Sequence, residues 1–252
     1  MKSCQRAGAP NNGIDCSTFV FRSIDLHHSA GTLFKRFLCS IAAIRSNMAS
    51  NTRVVVIAGS IEGIDALARL TQGLPGDFPA PVVAYVHGLH DDTTARLMHR
   101  KLNGPSTLKI VFAHDGERIR EGFFYVAPVG QELTFTGLNI LGCTPPTKPA
   151  SADRLFESAA LWHGAGTLGI VLSGLGNDGV KGFQAITDVG GTRVVQSPSE
   201  ASFTAMPSNA LMGDHVEYSV VLDQMKELLE KLMGRSEQKL SFHKDTQAKV
   251  RE

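Results

Sequence analysis

Ser60, His87 and Asp178 are side chains of the three types that together perform nucleophilic acyl transfer. A serine hydroxyl attacks a carbonyl effectively only when a neighbouring imidazole takes its proton. The imidazole holds the right tautomer when a carboxylate binds its other nitrogen. The oxyanion that develops needs fixed donors, which backbone N–H groups at a helix start or in a glycine turn can supply. The amides of Ile61 and of Gly174-Leu175-Gly176 are the candidates. Chain order is no obstacle, because geometry and not sequence order makes a triad.

Taken singly, each residue admits a plainer reading. A serine between a strand and a helix is most often an N-cap. His87 alone could be a half-buried loop histidine, and Asp178 could be no more than a cap or a partner of a helix dipole. The GSIEG turn is weak on its own, since such turns bind phosphates as often as they place nucleophiles. His87, His90, Asp91 and Asp92 could be read as metal ligands, but their spacing is not HExxH, and a solvated polar loop accounts for them better.

What raises the three above background is where the elements put them. Val54 to Ala58 is a β-branched run fit for a strand buried on both faces, and it leads through Gly59-Ser60 into a helix over Glu62 to Gln72 that Gly73 and Pro75 end. Pro81 to Val86 predicts a second strand, followed by His87, with a helix from about Asp92 to Leu102. Leu168 to Leu172 predicts another, followed by the Ser173 to Gly176 loop and a helix over Asp178 to Val189. Thr192 to Gln196 reads as a strand, and Pro207 to Met212 and Gln224 to Met233 as helices. Such alternation predicts an α/β fold: an open, doubly wound, mostly parallel sheet with helices on both faces. In that architecture functional groups gather beyond the carboxyl ends of the strands, where strand order reverses. Leu108 to Ala113, Phe123 to Ala127, Glu132 to Phe135 and Leu138 to Leu141 predict four short strands with glycine-bearing turns, expected as an antiparallel extension. After a proline-rich loop, Ser151 is the expected N-cap of a helix running to His163.

Composition bounds the rest. The chain has 252 residues, 42% apolar, with 25 basic and 24 acidic side chains and a net charge of +1. That balance offers no global attraction for nucleic acid or an anionic membrane, and no apolar run approaches the ~20 residues that span a bilayer. Cys4, Cys16, Cys39 and Cys143 form no CxxC pair, so a reduced cytoplasm is the expected setting. No cofactor or metal is called for. Residues 1–50 lack strand alternation, although Leu33 to Ile44 could form a short amphipathic helix; the α/β pattern opens after Met48. The expected organisation is an N-terminal extension over 1–50 (a start-site artefact or a disordered lead, in preference to a docking arm), a catalytic domain over 51–234 and a loose polar tail over 235–252.

At SGLGNDG, residues 173–179, the pattern stops being generic. Residues 54–234 resemble the catalytic domain of the chemotaxis protein-glutamate methylesterase (CheB-type) family. IAGSIEGIDAL resembles that family's Gly-Ala-Ser-Thr-Gly-Gly turn, with Ser60 as its serine and Gly63 as the second glycine of its pair. VVAYVHGLHDDTT places His87 at the family histidine, and LSGLGNDGVKG places Asp178 at its aspartate. HDGERIREGFFYVAP, SADRLFESAA and the Gln196 to Pro207 segment resemble further family motifs in order, the last bringing Met206 near the site.

The resemblance implies hydrolysis of glutamate γ-methyl esters on the cytoplasmic helices of methyl-accepting chemoreceptors, with glutamine deamidation as a possible second activity. Its Ser60, His87 and Asp178 would be the catalytic residues. It also implies a regulator, and since residues 1–50 are too short for a receiver of ~120 residues, that regulator is expected to be a separate receiver or another protein. The departures cluster at the site. Ile61 replaces a threonine, Glu62 a glycine, Val86-His87-Gly88 a Gln-His-Met, and Ser208 the arginine of Met-Pro-Arg, while Pro149-Ala150 stands for Arg-Pro. They leave the triad intact and bear on substrate recognition. They also keep open a rival reading, a methylesterase-like binding or regulatory module with weak turnover.

Overall fold

The computed structural model describes residues 52–104, 106–146, 151–213 and 216–234. The expectations for residues 1–50 and 235–252, and for Cys4, Cys16 and Cys39, lie outside these.

Every residue of β1 (Val54–Ser60) is buried, as a β-branched strand between two helical layers requires. It lies at the centre of a seven-stranded sheet in the order β3-β4-β2-β1-β7-β8-β9, and all the pairings are parallel. Here β2 is Val82–His87, β3 Lys109–Phe112, β4 Phe123–Val126, β7 Thr167–Val171, β8 Thr192–Gln196 and β9 Tyr218–Val220. From β1 the chain adds β2, skips to the edge with β3 and comes back to place β4 between them, then crosses to β7 and builds to the other edge. Strand order therefore reverses beside β1.

Alternation along the strands decides which side chains share a layer. Val55 and Ile57 of β1, with Val82, Ala84 and Val86 of β2, face α1 (Ile64–Gly73), α2 (Asp92–Asn103) and α6 (Leu222–Leu232), where Leu67, Met98, Met225 and Leu229 are buried. Val54, Val56 and Ala58, with Val83 and Tyr85, face α3 (Ala152–His163), α4 (Val180–Asp188) and α5 (Ala205–Gly213) through Phe156, Phe183 and Met206. Two more residues along each strand, the same period carries Ser60 and His87 onto this second face. Each large apolar side chain buried there contributes about 1.5–3 kcal/mol, so a register slip that moved Ser60 to the other face would forfeit both layers.

The middle segment departs from expectation. β3 and β4 are not antiparallel; they join the main sheet as parallel neighbours. Among the described residues, only the strands β5 (Glu132–Gly137) and β6 (Ile140–Thr144) form an antiparallel pair, as a separate two-stranded sheet. Residues 113–122 are long enough to carry the chain back for a parallel return, and they do so without a helix because β6 meets their backbone needs. Gly116 and Ile119 donate to the carbonyls of Leu141 and Asn139, and Leu141 donates to Glu117. The expected strand at Leu138 to Leu141 begins later, at Ile140. β9, three residues long and partly exposed at the sheet edge, gave no alternation to read.

Candidate active site

Ser60 ends β1 and His87 ends β2, and the two are register partners on adjacent strands. Neighbouring strands lie about 4.8 Å apart, which puts serine and imidazole within side-chain reach of each other. Asp178 follows β7, the strand on the other side of β1, through residues 172–177. Its Oδ2 lies 3.6 Å from His87 Nδ1. That is longer than a hydrogen bond, as is common in catalytic contacts that tighten when substrate binds. Ser60 is only 2% exposed, the Asp178 side chain 10% and the His87 side chain 53%. The imidazole is thus the member open to solvent.

Asp178 is anchored by the start of α3. Its Oδ1 accepts from the Ser151 hydroxyl at 2.6 Å and the Ala152 amide at 2.9 Å, and its Oδ2 accepts from the same amide at 3.1 Å. Ser151 is also the N-cap of α3, accepting from the Asp153 amide at 3.0 Å. Asp153 in turn accepts from Gly182 in α4 at 2.8 Å, with burial pushing its pKa upward. The cap was legible in the sequence; its second task, orienting the acid, was not, since nothing local links residues 151 and 178. Ser151→Ala is expected to lower stability by about 1 kcal/mol through the lost cap. It should also reduce kcat by about tenfold to a hundredfold through misplacement of Asp178. Thermal unfolding and steady-state rates on one preparation check both.

Glycines set the close approaches. A Cβ at Gly63 would collide with the Ser173 carbonyl, so the turn after Ser60 can nest against the turn after β7 only with glycine there. At Gly174 a Cβ would stand 2.7 Å from Ser60 Cβ and would meet the Met206 sulfur. At Gly179, the N-cap of α4 at φ +91°, a Cβ would stand 3.0–3.4 Å from the side chains of Ala58, Val171 and Phe156.

The candidate oxyanion donors separate into two groups. The Ile61 amide donates to the His87 carbonyl at 2.9 Å, and the Gly174 amide to the Phe203 carbonyl at 2.9 Å. In this structure both hold the loops together. Leu175 and Gly176 are exposed, and their amides make no hydrogen bond among the described residues. The loop is held around them by Gln196 Oε1 on the Ser173 amide at 2.8 Å and by Asn209 Nδ2 on the Gly176 carbonyl at 2.7 Å. Met206, expected to meet substrate, is fully buried. Its amide donates to the Gly174 carbonyl at 3.0 Å, so it buttresses the loop from below.

Two residues before His87 on the same face, the Tyr85 phenol is pushed up to about 12, chiefly by burial and then by Asp178 and Glu132; it is a neutral hydroxyl. Asp91, one of the acidic residues after His87, is the N-cap of α2, accepting from the amides of Thr93 and Thr94 at 2.9 Å. Concavities of about 440 Å³, beside Phe112 and Cys143, and about 850 Å³, beside Arg53 and Arg120, lie away from Ser60 and contain none of the site residues.

The family model described as CheB methylesterase matches residues 55–229. The chain belongs to the CheB methylesterase family. The crystal structure of the Thermotoga maritima CheB methylesterase catalytic domain superposes with a TM-score of 0.67 at 26% identity, covering 72% of this chain and 99% of that one. A Geobacter sulfurreducens protein-glutamate methylesterase/protein-glutamine glutaminase is 35% identical over 184 residues, 70% of this chain and 49% of its own. A putative enzyme of the same name from Leptospira interrogans is 31% identical, covering 72% of this chain and 95% of its own. The chain spans about half the length of the Geobacter relative and of several others it matches. CheB membership agrees with the α/β architecture described above, including the hairpin beside the sheet.

Proposed function

We propose that this CheB-family chain is a serine hydrolase that removes methyl groups from glutamate γ-methyl esters on the cytoplasmic helices of chemoreceptors. The observation that carries the reading is the approach of His87 and Asp178 to 3.6 Å over the end of the strand that bears Ser60. Nδ1 of His87 faces Asp178, which leaves Nε2 for the serine. Ser60 Oγ attacks the γ-carbonyl as its proton passes to His87. The amides of Leu175 and Gly176 support this reading as donors to the tetrahedral oxyanion. The imidazolium returns the proton to the departing methoxide, methanol leaves, and an acyl-serine remains. Water, deprotonated by His87, attacks the acyl carbon; glutamate is released and Ser60 regains its proton. A glutamine side chain would follow the same course with ammonia leaving. No helix among the described residues is long and apolar enough to cross a membrane. A cytoplasmic location and a separate regulator belong to the proposal.

The test is methanol release from a methylated receptor cytoplasmic fragment. Release is expected with the wild-type chain at a rate proportional to enzyme. Phosphonate labelling of Ser60 without any methanol release would instead make the receptor ester the wrong substrate. A second reading, a regulatory or binding module with weak turnover, is favoured by one contact: the Ser60 hydroxyl is bonded to Glu62, not to His87. A serine inert to phosphonate would support it.

A further inference from the structure

The nucleophile has a second partner built beside it. Ser60 Oγ donates to Glu62 Oε2, and no Ser60–His87 hydrogen bond is present among the described residues. Glu62 also lies close to the histidine loop: its Oε2 is 3.8 Å from where a Cβ on Gly88 would stand, and Ile61 Cγ2 is 2.9 Å from that point. Gly88, at φ +84°, leaves the space that Ile61 uses, with the Glu62 carboxylate at ordinary contact distance beside it. The three departures from the family motif are therefore one packed unit.

A carboxylate bonded to a serine hydroxyl can serve either as its base or as a competitor of the base. Efficient general bases titrate near the working pH, which suits an imidazole and not a carboxylate. The Ser60 hydrogen bond, foremost among several causes, lowers the Glu62 pKa further and makes it a still weaker acceptor. We infer that Glu62 restrains this site: it holds the Ser60 hydroxyl away from His87, and each turnover must break that bond before the imidazole can take the proton. Glu62 is thus a positioning residue that sets the resting reactivity of the serine. The inference rests on the hydrolase reading above and deepens it.

The test uses the full chain and a fluorophosphonate, with the labelling rate of Ser60 and kcat on methyl ester as readouts. Glu62→Ala removes the carboxylate. Glu62→Asp keeps the charge but falls one methylene short of the serine. Both are expected to react about tenfold faster than wild type, the gain from removing a charge-assisted hydrogen bond from the ground state, with unfolding temperatures unchanged. Unchanged or slower reaction in Glu62→Ala overturns the inference, and a loss as deep as that of Ser60→Ala would make Glu62 the base. A gain in Glu62→Ala but none in Glu62→Asp would assign the effect to charge and also overturn it. If neither wild type nor Glu62→Ala labels at Ser60, the hydrolase reading itself fails. Labelling of the wild type with no gain in the variants defeats only the restraint.

Discussion

Ser60→Ala is expected to lower ester turnover by about four to six orders of magnitude, the loss seen when a triad nucleophile is removed from a serine hydrolase. The residual rate would come from the oxyanion donors and from substrate binding, which the substitution leaves in place. Stability should hardly move, within about 0.5 kcal/mol, because the hydroxyl bonds to the exposed Glu62 and Cβ keeps its packing beside Gly174. Methanol release and thermal unfolding measured together separate the two effects. A variant that retains even a hundredth of the wild-type rate would remove Ser60 from the mechanism.

Asp178→Asn is expected to cost about 10³- to 10⁴-fold in kcat with KM little changed, since an amide presents the wrong hydrogen-bonding partner to Nδ1 and favours the wrong imidazole tautomer. This substitution also tests whether Asp178 is anything more than a cap. The carboxylate receives the Ser151 hydroxyl and the Ala152 amide at the positive end of α3, so neutralising it should destabilise the domain by about 1–2 kcal/mol. If Asp178 served α3 alone, stability would fall and kcat would drop less than tenfold. Ser151→Ala provides the scale for that comparison, because it perturbs the same anchor while leaving the carboxylate.

Much of the site was legible before the fold, and for local reasons. The β-branched run at Val54 and the apolar run at Val82 announce buried strands, and period-2 alternation places Ser60 and His87 on one face of each. Ser151 announced a cap by residue type and position. The error at β3 and β4 has an equally local cause. Glycine turns around short strands are the usual mark of hairpins, and nothing within residues 113–122 reveals that β6, further along the chain, will satisfy their backbone groups.

The residues proposed as a triad, the parallel α/β plan and the family were contained in contiguous patterns of residue type. Three matters were not. The Ile61 and Gly174 amides donate to the carbonyls of His87 and Phe203, Asp178 is held by Ser151, and the Ser60 hydroxyl points to Glu62. A hydrogen bond depends on distance and direction between groups that, in the first two cases, chain separation keeps apart until strands and loops pack. In the third, the partners are two residues apart, and the conformation of the turn after β1 brings them together. Sequence names the groups able to react; packing decides which of them are free to do so.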